Sequence, residues 1–335
     1  MLLRRTLTGM AAAAALGVAA CGGSPASPTA PALASPDAAG RLSTLTTLDQ
    51  AVARVAWRLS GSNVDLCPVV RQSAGWALHA ANQYVADLRP EAEQRFGLRG
   101  DLPGILAAPP GSPADRAGLR VGDLILSVAG VPLTEGSLRA RPQYEGLAAN
   151  IATLDRALSN GPTALSVQRG DIRLDLTVTP RRACGYEVQL NPSNELNARA
   201  DGRRLFISTA LAQFAASDDE LAVILGHELA HNVLGHRRWS ETGGSGRTVI
   251  DRACDADLCG GDPETQADRV GLYLLARAGY RPDVAAPFWR RFGESNWRVR
   301  YPQLAHASAG TRARRLEAVQ AEIEALTAAG RPLLP

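Results

Sequence analysis

The chain has 335 residues, of which 45% are hydrophobic, 21% charged and 5% aromatic, enough apolar material for at least one full core, which excludes a disordered or collagen-like chain. Thirty-six basic and thirty-three acidic residues leave a formal charge of +3, and every basic residue is Arg, dispersed along the chain rather than gathered into a patch. That pattern argues against nucleic acid as a partner.

Residues 1–20 read as an export signal: Arg4 and Arg5, an apolar stretch over 10–20, then Val18-Ala19-Ala20 ahead of Cys21. Small residues directly before a cysteine resemble the lipobox of bacterial lipoproteins. The resemblance implies cleavage ahead of Cys21, acylation of that residue and membrane attachment through it, with Gly22 favouring the outer membrane. The expected location is the cell envelope, lipid-anchored and facing the periplasm. Residues 21–41, almost all Gly, Ser, Pro and Ala, read as a semi-extended tether. No apolar run of about 20 residues follows the signal.

Residues 42–95 are expected to form the N-terminal segment of the unit that resumes at 181. Leu45, Leu48, Val52, Val55 and Ala56 recur at helical spacing, so a helix is predicted over 42–59, with short strands around Cys67 and Trp76. Over 96–180 the texture changes to short β-type runs punctuated by Gly and Pro, a helix over 144–158, and a hairpin turning at Arg169-Gly170-Asp171. Ser112 can cap a short helix with Pro113 at its first position, and Gly118 can end it. Gly111-Ser112-Pro113-Ala114, Ala117-Gly118-Leu119, Gly122-Asp123-Leu124-Ile125-Leu126 and Gly130 together make this segment resemble a PDZ domain of the bacterial envelope-protease type. The resemblance implies capture of an extended peptide as an added strand, with Phe96-Gly97-Leu98 as the expected carboxylate-binding loop.

Apart from Cys21 there are four cysteines, an even number that in an exported chain reads as disulfides. Cys254 and Cys259 are close in sequence, which leaves Cys67 with Cys184. A four-thiolate zinc site is disfavoured, because the paired two-residue spacings are missing.

Residues 219–236 form a long helical pattern containing His227-Glu228-Leu229-Ala230-His231. Four residues are about one turn and 6 Å of rise, so both imidazoles leave one face and can share a cation, with Glu228 beside them as a carboxylate able to take a proton from attacking water. A catalytic zinc needs a third protein ligand. Glu264-Thr265-Gln266-Ala267-Asp268 supplies two carboxylates four residues apart, one to bind the ion and one to support a ligand imidazole. A three-histidine site is excluded, because Leu234 and Arg237 stand where Gly and His are required. His236 therefore reads as a helix-end histidine and His79 as a core residue. The Gly-rich stretch 240–263 reads as a rim lid or a plain loop tip.

With Asn197-Ala198, residues 205–211, Asp219-Glu220-Leu221-Ala222, Ala278-Gly279-Tyr280 and His306-Ala307-Ser308 followed by Arg312, residues 185–328 resemble the HtpX-like gluzincin metallopeptidases. The resemblance implies an α+β fold, with a zincin-like catalytic domain at 181–330 interrupted by the inserted PDZ-like domain; the Cys67 to Cys184 bridge expected from the cysteine spacing would then staple the two sides of the insertion. It implies Zn2+ on His227, His231 and Glu264, Glu228 as general base, Asp268 supporting a ligand, and His306 near the metal, steadying the oxyanion or blocking the open position. The strand over 205–209 is expected to hold extended substrate at a sheet edge. The expected function is endopeptidase cleavage of misfolded or unassembled envelope polypeptides; a peptide-binding holdase with a closed metal site is the alternative.

Overall fold

The computed structural model describes residues 37–236, 262–295 and 309–335. The export signal, Cys21, the Cys254 to Cys259 pairing with its loop, and His306 lie outside them. Helix α1 (Ala38–Ser62) starts where the Asp37 side chain accepts a hydrogen bond from Gly40 N at 2.7 Å, so residues 38–41 are helix rather than tether. Its 25 residues span about 37 Å and serve two cores. Leu42 is buried in the first of them, and Val52, Val55 and Leu59 in the second.

After α1 the chain forms β1 (Val70–Ser73), which pairs antiparallel with β8 (Arg181–Cys184), Ser73 opposite Arg181 and Val70 opposite Cys184. Cys67 and Cys184 are joined as a disulfide, with Cα atoms 5.5 Å apart. Everything between β1 and β8 leaves and returns at one point, as an inserted module must. The insertion therefore opens at Ala74, not at 96. The expected boundary was late because β2 (Ala77–His79) looks like more of the preceding segment, yet it is the first strand of the inserted sheet.

That sheet runs β2-β3-β4-β6-β7, with β3 (Gly104–Ala107), β4 (Leu124–Val128), β5 (Val131–Pro132) paired on β4, β6 (Thr163–Arg169) and β7 (Ile172–Val178). The β6–β7 hairpin turns through Gly170-Asp171, with Arg169 opposite Ile172 and Gly170 at φ 56°. Helices α2 (Arg89–Phe96), α3 (Pro113–Arg116) and α4 (Glu145–Leu158) complete the insertion. Ser112 caps α3 by accepting from Asp115 N at 3.1 Å, as its sequence predicts. Phe96-Gly97-Leu98, where the carboxylate-binding loop is expected, lies at the end of α2: Gly97, at φ 64°, stops the helix, and Phe96 and Leu98 are buried in the module's core.

The part of the chain outside the insertion contains a sheet ordered β10-β11-β9, from β9 (Glu187–Asn191), β10 (Ala198–Ala200) and β11 (Arg204–Ser208). Strand β11 is antiparallel to β10 and parallel to β9. Paired on both sides, it is interior, so the expectation that residues 205–209 form the open edge does not hold. Helices α5 (Thr209–Phe214), α6 (Asp218–Leu234), α7 (Pro263–Arg277), α8 (Ala285–Ser295) and α9 (Ala309–Ala328) pack around the second core. Among the described residues no helix is long and apolar enough to cross a membrane.

Candidate metal centre and active site

Helix α6 carries the motif. Ser217 caps it by accepting from Glu220 N, and Asp218, Asp219 and Glu220 in its first turn favour the positive end of the helix dipole. Thirteen of its seventeen residues are buried, so its motif side chains project into protein. Helix α7 begins at Asp262, whose carboxylate accepts from Glu264 N and Thr265 N, both at 3.1 Å. The two helices cross at glycines. A Cβ on Gly271 would stand 2.8 Å from His227 N, and one on Gly226 would stand 2.9 Å from Gly271 O. This backbone-to-backbone approach brings Glu264 onto the histidine pair.

The His227 and His231 Nε2 atoms are 3.1 Å apart. The Glu264 carboxylate oxygens lie 3.3 Å from His227 Nε2 and 3.5 Å from His231 Nε2. Four ligands at bond lengths of about 2.0–2.1 Å around a tetrahedral ion stand about 3.3 Å from one another. The donor set therefore fits a divalent zinc-type ion in both chemistry and spacing, and it forms a single group within 4.8 Å. Three protein donors leave one tetrahedral position for water or substrate.

The imidazoles are held from behind. His227 Nδ1 is 2.9 Å from Asp268 Oδ1, and Arg312 grips that carboxylate with both Nε, at 2.7 Å, and a terminal nitrogen. The Arg312 guanidinium lies over the Trp289 ring, and Arg312 itself is 8% exposed. His231 Nδ1 is 2.8 Å from His236 Nδ1, and His236 Nε2 is 3.0 Å from Gln266 Oε1. The structure thus brings His227, His231, Glu228, Glu264 and Asp268 together as the motifs predict. His236 and Gln266, which sequence reasoning left without a role, join them, as does Arg312. Gly235 signals the end of α6, but nothing in local spacing joins His236 to Gln266, thirty residues away. His79 is a core residue of the insertion, its Nδ1 2.7 Å from the Tyr84 hydroxyl.

Charge in the site is sorted by surroundings. Burial pushes the Glu228 carboxyl up, opposed by His227 and His231. Burial also opposes ionisation of Glu264, but hydrogen bonds to both imidazoles override it and hold Glu264 well below the usual carboxylate range. Asp268 is likewise desolvated, yet Arg312 and His227 hold it low. Burial and Arg312 work against protonation of His227; the bonds to Asp268 and Glu264 prevail and raise its pKa to about 9 among these side chains alone. His236 is lowered, chiefly by burial and then by His231.

Against known protein families, residues 176–250 match the model described as peptidase family M48, and residues 104–139 match the PDZ domain. This chain carries an M48 peptidase domain and a PDZ domain. The M48 match includes His227, Glu228 and His231 but stops ahead of Glu264, so the third ligand rests on geometry. Among curated proteins, the chain is 28% identical over 157 residues to the mitochondrial metalloendopeptidase OMA1 of Schizosaccharomyces pombe, covering 41% of this chain and 46% of that protein. It is 39% identical over 74 residues to the putative serine protease HhoA of Synechocystis sp., covering 22% of this chain and 16% of that protein. The chain thus spans less than half the length of either relative. Among solved structures, the HtrA3 PDZ domain bound to a phage-derived ligand matches 35% of this chain and 92% of its own, at 22% identity and a TM-score of 0.25.

Proposed function

We propose that the chain is a zinc-dependent endopeptidase of the cell envelope that cleaves misfolded or unassembled polypeptides, anchored through an acylated Cys21, its PDZ domain selecting or presenting substrate. The observation that carries the reading is the mutual spacing of His227 Nε2, His231 Nε2 and the Glu264 carboxylate, which matches the edges of a tetrahedron around one ion. When bound, the ion supplies Lewis acidity that polarises the scissile carbonyl and makes water nucleophilic near neutral pH.

The chain's own residues do the rest. Glu228 takes a proton from the attacking water and returns it to the leaving amine; burial raises its affinity for that proton towards the range such a shuttle needs. An extended substrate needs a free strand edge beside α6, and among the described residues β10 pairs with β11 alone. α6 packs on β10 and β11, and the Asn232 side chain accepts from Gly202 N at 2.7 Å, tying the β10–β11 turn to the residue after His231. Strand addition at β10 would lay a peptide along the cleft.

The test uses casein as an unfolded substrate. Cleavage is expected to disappear with a chelator and return with zinc. Glu228→Gln is expected to keep zinc and lose at least about a hundredfold in kcat, the usual scale for a missing acid–base group. Robust cleavage by that variant removes Glu228 from the role of base.

A further inference from the structure

Resting on the zinc-site reading above, we propose that His236, locked by Gln266, is a positioning residue for the metal ligand His231. Three observations carry it. First, the contact is made through a helix stop. A residue five positions on in a continuous helix faces about 140° away, but Gly235 closes α6 at φ 71°, and the chain folds back so that the His236 ring meets His231 edge-on, with centroids 4.9 Å apart. Second, the hydrogen bonds run in one direction only. His231 that ligates through Nε2 carries its proton on Nδ1 and donates it, so His236 Nδ1, 2.8 Å away, accepts. His236 then carries its proton on Nε2, which donates to Gln266 Oε1 at 3.0 Å. Gln266 selects the one tautomer of His236 that can receive the His231 proton. Third, Gln266 lies on the first turns of α7, between ligand Glu264 and Asp268. One short stretch of α7 therefore supplies a ligand and an outer partner for each ligand histidine: a charged one, Asp268 with Arg312, for His227, and a neutral one, Gln266 through His236, for His231.

The experiment measures zinc affinity by chelator competition, together with the visible spectrum of the cobalt(II)-substituted protein and the melting temperature in EDTA. Groups that orient metal ligands from behind are worth roughly 10–100-fold in metal affinity. His236→Ala is expected to weaken zinc by that factor and alter the cobalt spectrum, with the melting temperature in EDTA little changed. His236→Asn, whose carbonyl oxygen stands near the Nδ1 position, is expected to recover most of the affinity. Gln266→Leu is expected to weaken zinc less than His236→Ala does. Should His236→Ala fail to fold, the Gln266→Leu and His236→Asn pair decides. Wild-type affinity and an unchanged cobalt spectrum in both His236→Ala and Gln266→Leu overturn the proposal while the zinc site stands. A wild-type protein that takes up no zinc overturns the site reading itself, and this inference with it.

Discussion

Glu228 and Glu264 are the same side chain in one site, and their surroundings send them opposite ways. Burial dominates at Glu228 and raises it, whereas two imidazole contacts at Glu264 outweigh burial and keep it ionised. The pair is thereby divided into a carboxyl of raised proton affinity and a permanent anion, the division that the proposed shuttle and cation site require. A third carboxylate shows the same physics without a catalytic use. Asp49 lies on α1 between Leu48, which packs on the second core, and Gln50, which donates to Leu106 O in the insertion. Burial pushes its pKa up to about 7. The folded state then binds a proton that the unfolded chain has released above pH 3.8, so stability falls as pH rises from there to about 7 and is level beyond. Asp49→Asn carries no such penalty. Its stability advantage in urea unfolding is expected to grow from pH 5 to pH 8, by at most about 3 kcal/mol, since only the range from pH 5 to about 7 contributes at 1.36 kcal/mol per pKa unit. An advantage equal at both pH values would show that Asp49 titrates normally.

The relation between α6 and α7 depends on an absence of side chains. Gly226 and Gly271 let the backbones touch, and the crossing sets how far Glu264 stands from the histidines. Gly271→Ala puts a methyl 2.8 Å from His227 N, so α7 must move outward and carry Glu264 and Asp268 with it. Overpacking of this kind costs about 1–3 kcal/mol. The variant is expected to melt earlier in EDTA and also to bind zinc at least tenfold more weakly. A lower melting temperature with unchanged zinc affinity would mean that the crossing supports the fold but not the site. Asn232 performs the matching task on the other face of α6, its buried amide bonded to Gly202 N and to Arg204 O, so the motif helix is fixed against both the sheet and its partner helix.

Across the whole molecule, α1 and the Cys67–Cys184 bridge make one body of two cores. Besides serving both cores, α1 reaches α6 directly, where Arg54 pairs with Asp218 at 2.6 Å. It also reaches the start of the insertion, where Gly75, at φ 72°, has room for no Cβ because Trp57 would stand 2.7 Å from it. The disulfide closes a separation of 117 residues, nearly all of it the insertion. In the chain-entropy account a closure of that length stabilises by several kcal/mol, and removal of such bridges costs about 2–5 kcal/mol. The Cys67→Ala, Cys184→Ala double variant is expected to unfold at lower denaturant by that amount, with zinc affinity retained, because neither cysteine touches the ligands. Loss of zinc binding in a variant that remains folded would show that the bridge positions the site as well.

The motif helix, the buried glutamate between its histidines, the carboxylate pair four residues apart, the α3 cap and the β6–β7 hairpin were all legible in the sequence. Each is set by spacing within a few residues, where helix and strand periodicity and turn chemistry decide which side chains share a face. The structure alone decided what depends on partners far along the chain. It put β11 inside its sheet, made Phe96-Gly97-Leu98 a helix stop, moved the start of the insertion back to Ala74, and turned His236 from a helix-end residue into a neighbour of a ligand. Gly226 and Gly271 are 45 positions apart, and no local pattern records that they touch. Local order follows from each residue's own dihedral preferences and near neighbours, whereas strand order, helix crossing and ligand distance are properties of the packed core, which forms only when distant segments bury their apolar faces together.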